Sequence, residues 1–213
     1  MKKLAMLGAG GLGKTAADAA LLNGWDSVLF FDDDDALKDR LGPMKSHGNT
    51  SYLIANLSNF DGVHVSIGNN KDRRQKFLEL DKTSAPIVSI IHPTAVICKT
   101  AKIEDGSLLL ANTTLNSSAL IGRGVIMSHA TGIDHDCNIG DFVLFSPACN
   151  LAGAVNVGND VTIGIGSIFI NNINVGDRAI IGAGSVVTSD IPSDTLSYGV
   201  PCKVSKKLVH ELS

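Results

Sequence analysis

The sequence predicts two unlike parts in one chain. Residues 1–90 read as an α/β Rossmann-like βαβαβ domain and residues 91–192 as an all-β parallel β-helix. Residues 193–213 read as a C-terminal tail with a short helix. Two observations predict this. From Ile91 to Ile191 a large apolar residue recurs at every sixth position, starting at Ile91, Ile97, Ile103 and Leu109 and running through Val187. Before Ile91 that period is absent, and short apolar runs alternate with a glycine turn and helical patterns.

The elements of the first part follow in order. Leu4–Leu7 is a short apolar strand that runs into Gly8-Ala9-Gly10-Gly11-Leu12-Gly13. Lys14–Leu22 has a helical pattern, and Val28–Phe31 is a second strand ending in Asp32-Asp33-Asp34-Asp35. Val63–Ile67 is a third strand ending in Gly68-Asn69-Asn70, Lys71–Leu80 reads as a charged surface helix, and Pro86–Ile91 is a final strand into the repeat. Strand, helix and strand in alternation imply a small parallel sheet.

The second part follows from its period. No helix repeats every six residues, and simple alternating strands repeat every two, so an unbroken hexad implies a solenoid of coils. The first residue of each hexad points to the axis. The fifth is small or β-branched, apart from Cys137 and Cys149, and fits where the chain bends inward. Three hexads per coil give a triangular prism with about 4.8 Å between coils and a height of roughly 27 Å. Gly122, Gly140, Gly158, Gly164, Gly176 and Gly182 each follow a first-position residue and are expected to serve tight, left-handed turns.

Composition narrows the class. The chain has 213 residues, 44% of them apolar and 18% charged, which fits a soluble globular protein. A net charge of −3 gives no electrostatic reason to expect nucleic acid. No apolar run approaches the length of a membrane span. The N-terminal Met1-Lys2-Lys3 leads into a strand and a glycine turn rather than a signal-peptide core. The scattered cysteines Cys98, Cys137, Cys149 and Cys202 are expected to be free thiols in a reducing cytoplasm.

The glycine turn fits two nucleotide motifs at once. Gly8, Gly10 and Gly13 match the dinucleotide fingerprint, while Gly8 through Gly13-Lys14-Thr15 matches a P-loop. The usual host of either is larger than ninety residues. What both share is a set of backbone amides at a helix N-terminus, suited to a phosphorylated or nucleotide-linked ligand. The competing reading is a purely structural turn. At the end of the second strand, Asp32 or Asp33 could accept a ribose or sugar hydroxyl; otherwise the run is a solvated loop.

Within the repeat, one cluster stands out. His135 is the third residue of its hexad, so it points outward, and it lies between Asp134 and Asp136. A carboxylate beside an imidazole nitrogen fixes the tautomer and favours the imidazolium, as a general base requires. His129 holds the same position one hexad earlier, on an adjoining face, and reads as a surface or interface residue. His47, His64, His92 and His210 have no supporting pattern. Ligands on adjacent faces point apart, so no metal is expected.

The combination resembles the bacterial sugar acyltransferases of the sialic acid O-acetyltransferase (NeuD/PglD) type, which include UDP-4-amino-sugar N-acetyltransferases of the hexapeptide-repeat superfamily. The resemblance is carried by Gly8–Lys14, Ser66–Asn70, Asp134–Gly140, Ile181–Val187 and Gly199–Lys203. It implies a left-handed β-helix and a cytoplasmic homotrimer with acetyl-CoA between neighbouring prisms. It also implies a nucleotide-sugar held by the N-terminal domain, and a role in surface polysaccharide or glycan biosynthesis. By motif match His135 is the general base and Asp136 orients it, with Asp134 able to share that role. The matching CoA-side positions are Ser146, Gly153, Ile165, Ala183 and Pro201. On the sugar side they are Gly8, Gly10, Gly11, Leu12, Gly13, Asp32, Asp33, Gly68 and Asn69. The chain departs from the family pattern in having Leu12 and Leu144 where a histidine is common, and Asp136 where a glutamate is common. The expected function is acetyl-CoA-dependent N-acetylation of a UDP- or GDP-linked amino-deoxysugar by direct transfer. O-acetylation of sialic acid is the alternative within the fold, and a non-catalytic nucleotide-sugar-binding trimer is the alternative from another class.

Overall fold

The computed structural model describes residues 1–34 and 46–209; Asp35 and His210 of the sequence reading lie outside the described residues. The N-terminal part is a three-stranded parallel sheet in the order β2-β1-β3, with β1 at Lys3–Leu7, β2 at Ser27–Phe31 and β3 at Gly62–Val65. Helix α1, Gly11–Leu22, crosses between β1 and β2. It begins three residues earlier than its pattern suggested, because the second half of the glycine turn is already its first turn. A helix over Thr50–Ala55 has only six residues, too short for its pattern to show in the sequence. The expected final strand over Pro86–Ile91 makes only one bridge to the sheet, between Ile87 and Val63, and its end, Ile90–Ile91, is already the first rung of the solenoid.

The solenoid has seventeen two-residue rungs, from Ile90–Ile91 to Val186–Val187. They pair in parallel with the rung three places on, as in Ile133 with Leu151 and Phe145 with Ile163, so three hexads make one coil. The rungs form three sheets, here called B, C and D in the order the chain meets them: Leu144–Phe145 lies in B, Asn150–Leu151 in C and Asn156–Val157 in D. From Leu109 onward the first-position residues through Val187 are buried with the fifth-position residues in one continuous core, while Ile91, Ile97 and Ile103 cap its start.

The turn chemistry differs from the sequence reading. Every fourth position from Gly106 to Gly184 has a left-handed φ, including Asn112, Asp136, Phe142 and Arg178. The glycines at the second position do not. They are there for room: a Cβ on Gly122, Gly140 or Gly164 would come within 3 Å of backbone atoms of the next coil. The expected left-handed turns at these glycines are thus corrected to room between coils, because close approach between coils is invisible in a one-dimensional period.

The hexad also slips before Ile191. The last coil is two residues short, so Ile191 bridges to Val175, a first-position residue, and Ile180–Ile181 pairs with Leu196–Ser197. Ile191 is therefore no fifth-position residue. Beyond it the expected short helix is corrected over the described part of the tail. Thr195–Gly199 and Cys202–Lys207 form an antiparallel hairpin with a cis Val200–Pro201 bond, and the first of these strands extends sheet B past residue 192.

The two parts share a core. The outer face of sheet B is apolar at Ile90, Leu108 and Ile126, and these pack with Leu110 against Ala16, Ala17, Ala19 and Ala20 of α1 and against Leu4, Met6 and Phe30. Each fully buried Leu or Ile contributes roughly 1.5–3 kcal/mol. Leu144 joins this contact, so an apolar side chain there is satisfied by packing. The helix expected at the surface, observed at Asn70–Leu80, is instead wedged against the prism edge between sheets D and B. Its Arg73 and Phe77 are buried, and the Phe77 ring meets the Phe142 ring edge-on at 5.0 Å. Its charges read as solvated in sequence, but Arg74 pairs with Asp160 at 2.6 Å, on the prism. No helix among the described residues is long and apolar enough to cross a membrane.

Candidate active site

His135 stands on the prism edge between sheets C and D, about half exposed. Its Nδ1 lies 2.8 Å from Asp136 Oδ2. A carboxylate only accepts, so Nδ1 carries the proton and Nε2, which has no hydrogen-bond partner among the described residues, carries the lone pair. Asp136 sits at a left-handed position, φ 58°, a conformation Asp tolerates better than most residues. The turn therefore permits the residue that orients the ring, and Asp reaches it despite being one methylene shorter than Glu.

Asp134 does something else. Its Oδ1 accepts the His135 backbone N–H at 2.8 Å and the Asn116 side-chain amide at 2.7 Å. It fixes the loop rather than the ring. The Asp136 hydrogen bond, followed by the charge of Asp134, raises the His135 pKa above its ordinary 6.5.

Gly153 is one coil above His135, and a Cβ there would lie 2.5 Å from His135 Cε1 and 2.6 Å from Nε2. Among the CoA-side positions expected from the sequence, it is thus the one packed against the imidazole. Both neighbours follow from the hexad: Gly153 lies eighteen residues up from 135 and Asn116 eighteen down from 134.

Ser146, Ile165 and Ala183 occupy a different edge, between sheets B and C. Ile165 and Ala183 are exposed there, and Ser146 is partly so. The register that faces Ile181 with Ser197 carries the hairpin turn of Gly199–Pro201 to the end of that column. One prism therefore splits the named CoA-side residues between two edges, with the outer face of sheet C between them. A groove of about 490 Å³ runs over that face beside Asp134, lined by Thr114, Asn116, Gly132 and Asn150 among others.

A second cavity, about 470 Å³, opens at the glycine turn and gathers Gly8, Gly10, Gly11, Leu12, Asp32, Asp33 and Gly68. Gly13 and Asn69 do not line it. Gly13 is buried where α1 crosses the Gly8 carbonyl, which leaves no space for a Cβ. Asn69 caps the Asn70–Leu80 helix, accepting from Asp72 N at 3.1 Å. The first-turn amides of α1 have no intrahelical acceptor and no side-chain cap. The acids at the end of β2 are more committed than their sequence suggested. Asp32 Oδ2 accepts Ala9 N–H at 2.7 Å, which holds the turn itself. Asp33 accepts from Thr50 and pairs with Lys76 at 2.6 Å. Burial alone would raise the Asp33 pKa, but the bonds from Lys76 and Thr50 outweigh it and hold the carboxyl below its ordinary value. Lys76, a cation on the cavity wall, was hidden in a helix that reads as solvated.

Hydrogen bonds from Ser117 and Thr100 lower the Cys98 thiol to about 7, and the other three thiols are raised. Burial raises the Cys137 thiol and pushes that of Cys149 up to about 11. All four cysteines are free. Among the described residues no cluster of three metal-ligating side chains occurs.

These features define a class: a β-helix with an edge histidine, joined to a small α/β unit with a glycine-turn cavity. Residues 3–80 match the family model of the PglD N-terminal domain. The acetyltransferase domain of PglB from Neisseria gonorrhoeae, solved with acetyl coenzyme A, is 31% identical over 95% of this chain and 98% of its own, with a TM-score of 0.90. A mutant of perosamine N-acetyltransferase from Caulobacter crescentus, solved with CoA and GDP-perosamine, is 27% identical over 97% of this chain and 98% of its own, with a TM-score of 0.91. WeeI from Acinetobacter baumannii shares the fold at 24% identity and a TM-score of 0.85, over 96% of this chain and 100% of its own. The chain belongs to the PglD/NeuD-type family of hexapeptide-repeat sugar acyltransferases.

Proposed function

We propose that the protein transfers the acetyl group of acetyl-CoA to the amino group of a UDP- or GDP-linked amino-deoxysugar, with His135 as general base. The observation that carries this reading is the His135–Asp136 pair, packed against Gly153 with Nε2 left without a partner among the described residues. Two relatives support the cosubstrates: one was solved with acetyl-CoA and the other with CoA and GDP-perosamine, an amino sugar linked to a nucleotide.

The chemistry is direct. The sugar amine attacks the thioester carbonyl and forms the new C–N bond. His135 Nε2 takes the amine proton as positive charge develops on the amine nitrogen, and Asp136 stabilises the resulting imidazolium through Nδ1–H. Backbone N–H groups of the coil stabilise the oxyanion. The tetrahedral intermediate collapses with cleavage of the C–S bond, and the CoA thiolate takes the proton from the His135 imidazolium and leaves as the thiol. The raised thiol pKa values of Cys137 and Cys149 argue against either of these two as an acyl-carrying nucleophile.

A homotrimer gives the split positions a purpose. The edge bearing Ile165 and Ala183 on one prism, set against the His135 edge of its neighbour, would enclose acetyl-CoA between copies. The glycine-turn cavity, with the amides of α1 and the Lys76 charge, would hold the acceptor's diphosphate side. Thiol release from acetyl-CoA, measured with UDP- and GDP-linked amino sugars and with free sialic acid, tests the proposal. Release with an amino-sugar nucleotide is expected. Release with sialic acid alone would favour O-acetylation, and tight nucleotide-sugar binding without release would favour a non-catalytic role.

A further inference from the structure

The Asn70–Leu80 helix carries a guanidinium that neither catalysis nor surface solvation accounts for. Arg73 is wholly buried, and all five of its N–H groups are used. Nε donates to Gly124 O at 2.9 Å and Nη2 to Phe142 O at 2.7 Å, two carbonyls one coil apart on the prism edge. Nη1 donates to Ile67 O at 2.7 Å and Gly68 O at 3.1 Å, in the loop that walls the glycine-turn cavity. The last N–H, on Nη2, goes to Asn70 Oδ1 at 2.8 Å. The Asn70 amide in turn donates to Asp160 O at 2.9 Å, Val161 O at 3.2 Å and Thr162 Oγ1 at 3.1 Å, again on the prism.

Among the described residues no carboxylate lies within ion-pair distance of Arg73. A buried cation bonded only to carbonyl oxygens, with the Asp160 charge acting from beyond ion-pair distance, is an expensive way to fill space, and apolar side chains often stabilise such a position better. What the guanidinium supplies instead is direction: a planar fork fixes several acceptors at set angles. Here those acceptors belong to the two parts of the molecule that must be held in register.

We propose that Arg73 is a positioning residue for the acceptor. It locks the Ile67–Asn70 wall of the cavity to the prism edge, and so sets where a bound nucleotide-sugar lies relative to the β-helix. This rests on the functional reading above.

The test is steady-state kinetics of Arg73→Lys, Arg73→Met and Asn70→Ala with the wild-type acceptor, alongside unfolding midpoints and equilibrium titration with UDP and GDP. Expected are an acceptor KM about tenfold higher in Arg73→Lys and about threefold higher in Asn70→Ala, with the acetyl-CoA KM within about twofold. UDP or GDP binding should weaken in parallel. Lower unfolding midpoints with both KM values unchanged would mean a merely structural residue and overturn the proposal. If neither Arg73 variant folds, Asn70→Ala decides, and an unchanged acceptor KM there overturns it. If the wild type acetylates no acceptor, the functional reading fails, and the titrations still decide. Weaker binding in the variants supports the lock; equal binding, or none to the wild type, overturns it.

Discussion

The two parts of the molecule build their cavities by different logics. On the prism every neighbour of His135 is fixed by arithmetic: Asp136 is next in sequence, Gly153 is one coil up, and Asn116 is one coil below Asp134. In the N-terminal part the cavity wall comes from three separate strand ends, and its polar groups are largely spent on one another, Asp32 on Ala9 and Asp33 on Thr50 and Lys76. A repeating scaffold can display a reactive side chain because its rungs already satisfy one another. A small sheet must use its strand-end acids to hold its own loops. This division suits chemistry on the prism and recognition in the α/β unit.

Substitutions sharpen or break that contrast. The largest effect is expected on the prism. His135→Ala should lower kcat by about a hundredfold or more, the usual range for a general base, with acetyl-CoA affinity preserved by calorimetric titration. Gly153→Ala puts a methyl group where the imidazole sits, so kcat should fall by about tenfold or more while the fold, followed by circular dichroism, is kept. In the N-terminal cavity the effect should fall on binding. Leu12→Glu places a negative charge at the start of α1, and the acceptor KM should rise by about tenfold at low salt and less at high salt, with kcat little changed.

The smallest effect concerns stability. His64, on β3, is wholly buried, and burial pushes its pKa down to about 4; its Nδ1 is bonded to Val88 O, while Nε2 has no partner. A depressed folded-state pKa means stability is fully present above the unfolded value near 6.5 and is lost as pH falls toward 4. Urea unfolding at pH 7 and pH 5 should differ by about 2 kcal/mol from this group, and His64→Gln should shrink that difference.

How legible each part was in sequence follows from the same contrast. The hexad placed His135 outward and Cys137 and Cys149 inward, because one coil is three repeats and burial depends on position alone. It misled about Ile191, since a two-residue deletion within the last coil leaves an apolar residue in an acceptable place in either frame. The glycine turn and the acids at the end of β2 were visible as motifs, but their partners were not. Thr50, Lys76 and Arg73 reach the cavity or its wall through pairings that no local period encodes. The Asn70–Leu80 helix is the clearest case. Its charges read as solvated, yet Arg73 and Arg74 bond to the prism fifty or more residues away in sequence.

The central claim is that Asp136 holds His135 so that Nε2 acts as the base. The most direct test is the pH dependence of kcat/KM for wild type and Asp136→Asn. A base must be unprotonated, so activity should rise with pH through an apparent pKa above 6.5 in the wild type, as the Asp136 bond and the Asp134 charge require. In Asp136→Asn that limb should move down toward 6.5 while the plateau falls, because the partner that stabilises the imidazolium is gone. An acidic limb unmoved by the substitution, with an unchanged plateau, would contradict the account.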